Sequence, residues 1–159
     1  MSALQDGRND FDFLVGKWRV HHRRLQRRLA GDTHWDEFAG GSELRKILGG
    51  LGNVDDNVIE LPGGTYRAAT VRQFDPETRL WSIWWIDGRH HGIGAPVHGS
   101  FQDGVGTFLG DDVFDGRPIK VRFLWSDITP NAARWQQAFS PDAGVSWEDN
   151  WFMRFERVG

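Results

Sequence analysis

The chain has no cysteine, one tyrosine and two methionines among its 159 residues. Without cysteine there is no disulfide, no thiolate metal ligand and no cysteine nucleophile. The composition fits a reducing cytoplasm, where we expect the protein to reside. Long apolar runs are missing too, so no segment of helix-forming length is expected to cross a membrane. The opening M-S-A-L-Q-D-G-R-N-D lacks the apolar stretch of a signal peptide. No internal amphipathic helix of usable length, repeat array or low-complexity tract can be found. Charge is nearly balanced, at a net −3 with a pI of about 6.0. That gives no general pull toward nucleic acid, and neither a nucleic-acid nor a membrane partner is expected.

What is abundant is tryptophan and glycine. Nine tryptophans stand mostly on strand-like alternations: Trp81, Trp84 and Trp85 in L-W-S-I-W-W-I, Trp125 closing I-K-V-R-F-L-W, then Trp135, Trp147 and Trp151. Each indole carries a large apolar area and one N–H that needs a partner when buried. Either the core is unusually aromatic, or some indoles line a cavity that something else occupies. Twenty glycines against a hydrophobic fraction of 39% suit short strands and tight turns better than packed helices. At this length a single domain, 1–159, buries roughly 70% of its unfolded surface.

Strand signals dominate. From Val15 an extended stretch puts Trp18, Val20, His22 and Arg24 on one face and Lys17, Arg19, His21 and Arg23 on the other. Leu25 and Leu29 fall on the opposite parity, which predicts a bulge or bend near Arg24. Between Lys17 and Arg28 the chain is strongly basic, without an acid. This reads as a face that pairs with the acids at Asp55-Asp56 and Asp111-Asp112, or as an entrance attracting an anionic ligand. Further strands are expected at about 34–48, 57–61, 65–74, 80–86, 97–101, 105–114, 117–126, 132–139 and 147–158. Leu48 to Gly52 reads as a flexible corner, Asp75-Pro76-Glu77-Thr78 as a type I turn, and Asp103-Gly104 and Asp115-Gly116 as hairpin turns. About ten antiparallel strands at hairpin spacing close most simply into an all-β, up-and-down barrel without exposed edges, the segment before Phe13 capping one end. A two-sheet sandwich is the alternative.

Phe13-Leu14-Val15-Gly16-Lys17-Trp18 resembles the G-x-W opening of the lipocalin-like (calycin) barrels. That resemblance implies that Trp18 plugs one end, with Arg154 or Arg157 from the last strand packed across its ring. The whole chain also resembles a bacterial family of small lipocalin-like proteins of unknown function. The stretches that carry this are F-D-F-L-V-G-K-W, L-G-G-L-G-N-V-D-D-N, F-D-P-E-T-R-L-W-S-I-W-W, F-L-G-D-D-V-F-D-G-R-P-I-K-V-R-F-L-W-S-D-I and F-S-P-D-A-G-V-S-W-E. The resemblance implies the barrel and no particular reaction. Ser140 to Trp147 matches the Asp-box hairpin of sialidase propellers. A single copy is turn chemistry and not a propeller, with Trp147 behind the turn.

The function expected is binding of a small apolar or aromatic molecule with a polar or anionic end inside the barrel. Trp84, Trp85, Trp125, Trp135 and Trp151 are the candidate walls, and as neighbours Trp84 and Trp85 cannot both face inward. His22, Arg45, Asn57, Arg72 and Arg122 are the candidate polar contacts, since an inward arginine needs an acid, a carbonyl or a ligand anion. Alternation does not say which parity faces in. A small barrel enzyme of the isomerase, cyclase or hydrolase type is the alternative, with His22, Asp55 and Asp111 as catalytic candidates. A structural or homodimerising role with a filled core is the third. His21-His22 and His90-His91 each offer one ligand to a given site at most, although His90, His91 and His98 lie close enough in sequence to converge at a barrel mouth. Some barrels of this kind hold haem on a single histidine. No metal or cofactor is expected here.

Overall fold

The computed structural model describes residues 6–159. Residues 1–5, part of the opening stretch read above, lie outside the described residues. The strands are β1 (Gly16–Leu25), β2 (Trp35–Ile47), β3 (Gly52–Leu61), β4 (Gly64–Asp75), β5 (Leu80–Asp87), β6 (Val97–Gln102), β7 (Val105–Phe114), β8 (Arg117–Thr129), β9 (Ala132–Ser140) and β10 (Glu148–Arg157). Each pairs antiparallel with its sequence neighbours, and β1 pairs with β10, so the sheet closes on itself. The expected all-β, up-and-down barrel of ten strands is what forms, and the sandwich is excluded.

Turn chemistry sets the register. Asp103-Gly104 and Asp115-Gly116 both have positive φ at their two central positions, the backbone of the tight hairpins they were read as. Between β9 and β10, Asp142 accepts bonds from the Ser146 amide and hydroxyl and from the Ser140 hydroxyl. Those donors, Ser146 first, hold its carboxyl down at about 2. The Asp-box reading as a hairpin therefore stands, and Trp147 is capped on the outside by Arg122, 4.8 Å from its ring.

One expectation about strands changes and another is narrowed. β3 begins at Gly52, directly after a short 3-10 turn at Leu48–Gly50. Asp55 and Asp56 thus belong to a strand, not to a loop, and point to opposite faces. Of the bulge or bend expected near Arg24, it is the bend that forms: β1 keeps continuous register with both neighbours to Leu25, and the chain bends at Gln26 and Arg27. Irregularities fall instead between Asp149 and Trp151 of β10 and between Ser126 and Thr129 of β8.

One end of the barrel is closed by its own N-terminal segment. Phe11 enters the bore and meets Trp81, Phe101, Phe108 and Trp125 at ring separations of 5.0, 4.9, 5.6 and 6.3 Å. The contacts with Trp81, Phe101 and Trp125 are edge-on and that with Phe108 is stacked, arrangements that favour the ring quadrupoles as well as burying area. The indole N–H of Trp81 donates to the Gly7 carbonyl (3.1 Å), and that of Trp18 to the Leu14 carbonyl (2.9 Å). Of the two arginines considered, Arg157 lies over Trp18, 4.3 Å from the ring. It also donates to the carbonyls of Phe13, Val15 and Pro130. Among the described residues no helix is long and apolar enough to cross a membrane.

Candidate functional site

Above the Phe11 plug the bore is not filled. The parity that faces inward is that of Trp18 and His22 on β1, Asp55 and Asn57 on β3, Thr70 and Arg72 on β4, and Ile83 and Trp85 on β5. Across from them stand Phe123 and Trp125 of β8, Trp135 of β9, and Met153 and Phe155 of β10. These residues leave a deep hollow of about 30 Å³, the share of one water. A second space of about 200 Å³ adjoins it, sharing Ile83, Trp85, Phe123 and Trp135 and adding Gln137, Phe139 and Trp151. The two lie on either side of those four shared residues and together make up the chamber.

The chamber opens sideways because β5 and β6 pair over only three residues each, Trp81–Ile83 with Val97–Gly99. The end of β5 therefore runs free of β6, and the loop 88–96 crosses the gap with Gly94 and Ala95 against the chamber. Three tryptophans of its wall meet edge to face, Trp85 with Trp151 at 5.8 Å and Trp135 with Trp151 at 5.5 Å.

The deep wall is polar on one side. Arg72, 4% exposed, is paired with Asp55 at 2.9 Å and donates to the Asn53 side-chain oxygen at 2.9 Å. The other Asp55 oxygen accepts from the Asn57 amide and the Thr70 backbone N–H. Phe11 and Trp125 flank the guanidinium, 5.0 and 6.0 Å away. Burial pulls the Arg72 guanidinium below its ordinary value, while Asp55 works to keep it charged. A charge this deep persists only with such a partner. Among the described residues the Arg72 Nε is buried without a hydrogen-bond partner.

His22 is set in the wall and not in the chamber. Its ring stacks on Phe38 at 4.7 Å, and its Nδ1 accepts the Trp151 indole N–H at 3.0 Å. That bond needs a lone pair on Nδ1, hence a neutral ring. Burial, helped by the charges of His21 and Arg24, lowers its pKa to about 3. Gly40 leaves the ring room, since a Cβ there would run into the Val58 carbonyl and the His22 Nε2.

The sequence candidates therefore separate. Trp85, Trp125, Trp135, Trp151, Asn57, Arg72 and Asp55 line the chamber, and His22 supports it through Trp151. The interior expected for three others is corrected. Trp84 has the outward parity, as it must once its neighbour Trp85 faces in. Arg45 is exposed on the outside of β2. Arg122 lies outside β8 against Asp149 and Trp147. Asp111 is outward-facing at the chamber's rim, paired with Lys120. His22, Asp55 and Asp111 are thus engaged with three different partners, Trp151, Arg72 and Lys120. His98 faces outward against Ser82, and among the described residues no three His, Asp or Glu side chains gather as metal ligands.

Sequence reading missed Phe11, Thr70 and the polar partner Asn53. Asn53 and Thr70 were hidden by the late start assigned to the third strand and by the modesty of a backbone amide as a signal. Phe11 stands outside any strand, so no periodicity marks it. Arg24, by contrast, carried a signal: it shares its face with Trp18 and His22.

No family model matches the chain, and no curated protein matches it. Among solved structures, an S-type phycobiliprotein lyase from Guillardia theta superposes with a TM-score of 0.61 at 12% sequence identity, over 100% of this chain and 98% of that one. At that identity the likeness shows the fold, a lipocalin-like barrel of the same extent.

Proposed function

We propose that the barrel binds one small apolar or aromatic molecule in the chamber walled by Trp85, Trp135 and Trp151. One observation carries this: Phe11 packs one end of the bore densely, yet the bore beyond it stays hollow between large aromatic side chains. A chain that used tryptophan only as filler would have closed that space, because empty volume forfeits dispersion contacts. Apolar walls with a few placed polar groups are the usual form of a ligand pocket. Arg72 Nε, Asn57 and Gln137 supply such groups. The ion pair with Asp55 neutralises Arg72, so the deep end suits an uncharged acceptor, such as a carbonyl or ring nitrogen, better than an anion. The solved neighbour is a phycobiliprotein lyase, and a barrel of this type enclosing a small molecule fits the same reading.

Tryptophan fluorescence titrated with a panel of apolar and aromatic ligands tests the proposal. Saturable quenching is expected, lost in Trp135→Leu/Trp151→Leu protein that keeps its β-sheet circular dichroism. Linear, non-saturating responses across the panel would sink it.

A further inference from the structure

The described residues leave two arginines at the barrel mouth without an acid of their own. Arg24, inward on β1, and Arg28, in the loop that follows, line one groove with Arg89. Neither makes an ion pair or hydrogen bond among the described residues, and the Arg24 Nε is buried with no partner. The acids within electrostatic reach are Asp36, Asp87 and Glu148. Asp87 is paired with Arg89, Asp36 accepts from the Gln26 amide, and Glu148 accepts from the Leu29 backbone N–H. A third orphan joins them: the Tyr66 hydroxyl, on a residue 7% exposed, is buried without a partner among the described residues. Arg24, Arg28 and Arg89 are the cations around that phenol. Burial and the neighbouring positive charges bring Arg28 down to about 10, the mark of cations crowded without a counter-ion.

Both free arginines are linked to the chamber through aromatic rings, Arg24 by one and Arg28 by two. Arg24 lies 4.7 Å over Trp151, which walls it, and Arg28 lies 5.4 Å over Phe114, which packs on the wall residue Phe139 at 5.5 Å. Resting on the proposed chamber, we infer that the ligand is an aromatic organic acid, its ring system among Trp85, Trp135 and Trp151 and its acidic group at the mouth on Arg24, Arg28 and the Tyr66 hydroxyl. An anionic oxygen there satisfies all three orphan donors at once. It also orients the ligand: body inward, charge outward, with Arg72 kept for a neutral acceptor.

Two probes with the same aromatic body separate the claims. 8-Anilinonaphthalene-1-sulfonate carries the anion and N-phenyl-1-naphthylamine lacks it; both are followed by fluorescence enhancement on the full chain. The wild type is expected to prefer the sulfonate. Arg24→Gln/Arg28→Gln should weaken the sulfonate by about 10- to 100-fold and the neutral probe by less than about twofold. Arg45→Gln, which removes a charge from the outer surface, should change neither. Equal affinity of the wild type for both probes, or a loss no greater than that of Arg45→Gln, overturns the mouth assignment and leaves the chamber intact. Binding of neither probe to the wild type removes the chamber reading, and the mouth assignment with it. If the glutamine pair weakens both probes alike, Arg24→Lys/Arg28→Lys decides: regained preference for the sulfonate supports the assignment, and its absence overturns it.

Discussion

At position 22 a titratable ring is held neutral by the bond that fixes a wall of the chamber. Trp151 donates to Nδ1, so a proton on that nitrogen would break the contact and charge a buried ring. The folded pKa, about 3, lies below the usual 6.5. Between those values the unfolded chain binds the proton and the folded chain does not. Stability from this group is therefore complete above pH 6.5 and is lost as pH falls toward 3, at about 1.4 kcal/mol per unit. His22→Gln keeps an acceptor for Trp151 and removes the titration. Urea unfolding at pH 7.0 and pH 4.5 should show the wild type losing about 2–3 kcal/mol more than this variant between the two conditions. Arg72 differs in kind: its charge is matched by Asp55 and built into the wall.

At the level of elements, the first and last strands are tied to the N-terminal cap by one guanidinium. Arg157 of β10 donates to three carbonyls, on Phe13, Val15 and Pro130, and covers Trp18 of β1. The close approach requires glycine at position 16, where φ is +122° and a Cβ would lie 2.6 Å from the Arg157 Nη1. Lysine has the charge but not the planar fork that reaches several acceptors. Arg157→Lys is expected to cost about 1–3 kcal/mol, read from the midpoint of chemical unfolding. It should leave ligand affinity in the remote chamber unchanged within about twofold, since effects at distant sites are nearly independent.

The whole molecule divides into a packed half and a hollow half, and the tryptophans divide with it. Trp81 is buried among Phe11 and Phe74 with its N–H bonded to Gly7. Trp85 is half-buried beside existing space. Truncating the first opens a void where nothing can relax, and Trp81→Ala should cost about 3–5 kcal/mol. Trp85→Ala removes fewer contacts and should cost about half that or less, while weakening ligand binding more than any change at the plug. Unfolding free energies and probe affinities measured on the same two variants check both halves of the statement.

By itself the sequence determined the succession of ten antiparallel strands, because alternation of period two and turn pairs such as Asp103-Gly104 are local properties that survive without knowledge of neighbours. Closure into a barrel and not a sandwich was left to the tertiary structure. The sequence also determined that Trp84 and Trp85 face opposite ways and that Arg24 shares a face with His22, while the arginine over Trp18 came from the resemblance to calycin barrels and its identity as Arg157 from the structure. Only the tertiary structure decided which face is inside. That choice sent Arg45, Arg122 and Trp84 outward and brought Asp55, Asn57 and Arg72 together from two strands. Closure decided the rest: Phe11 fills one end, β5 parts from β6 at the other, and the acids near Arg24 and Arg28 are taken up by other partners. Pairing of a buried charge depends on every group that folding brings around it, and no spacing along the chain records that.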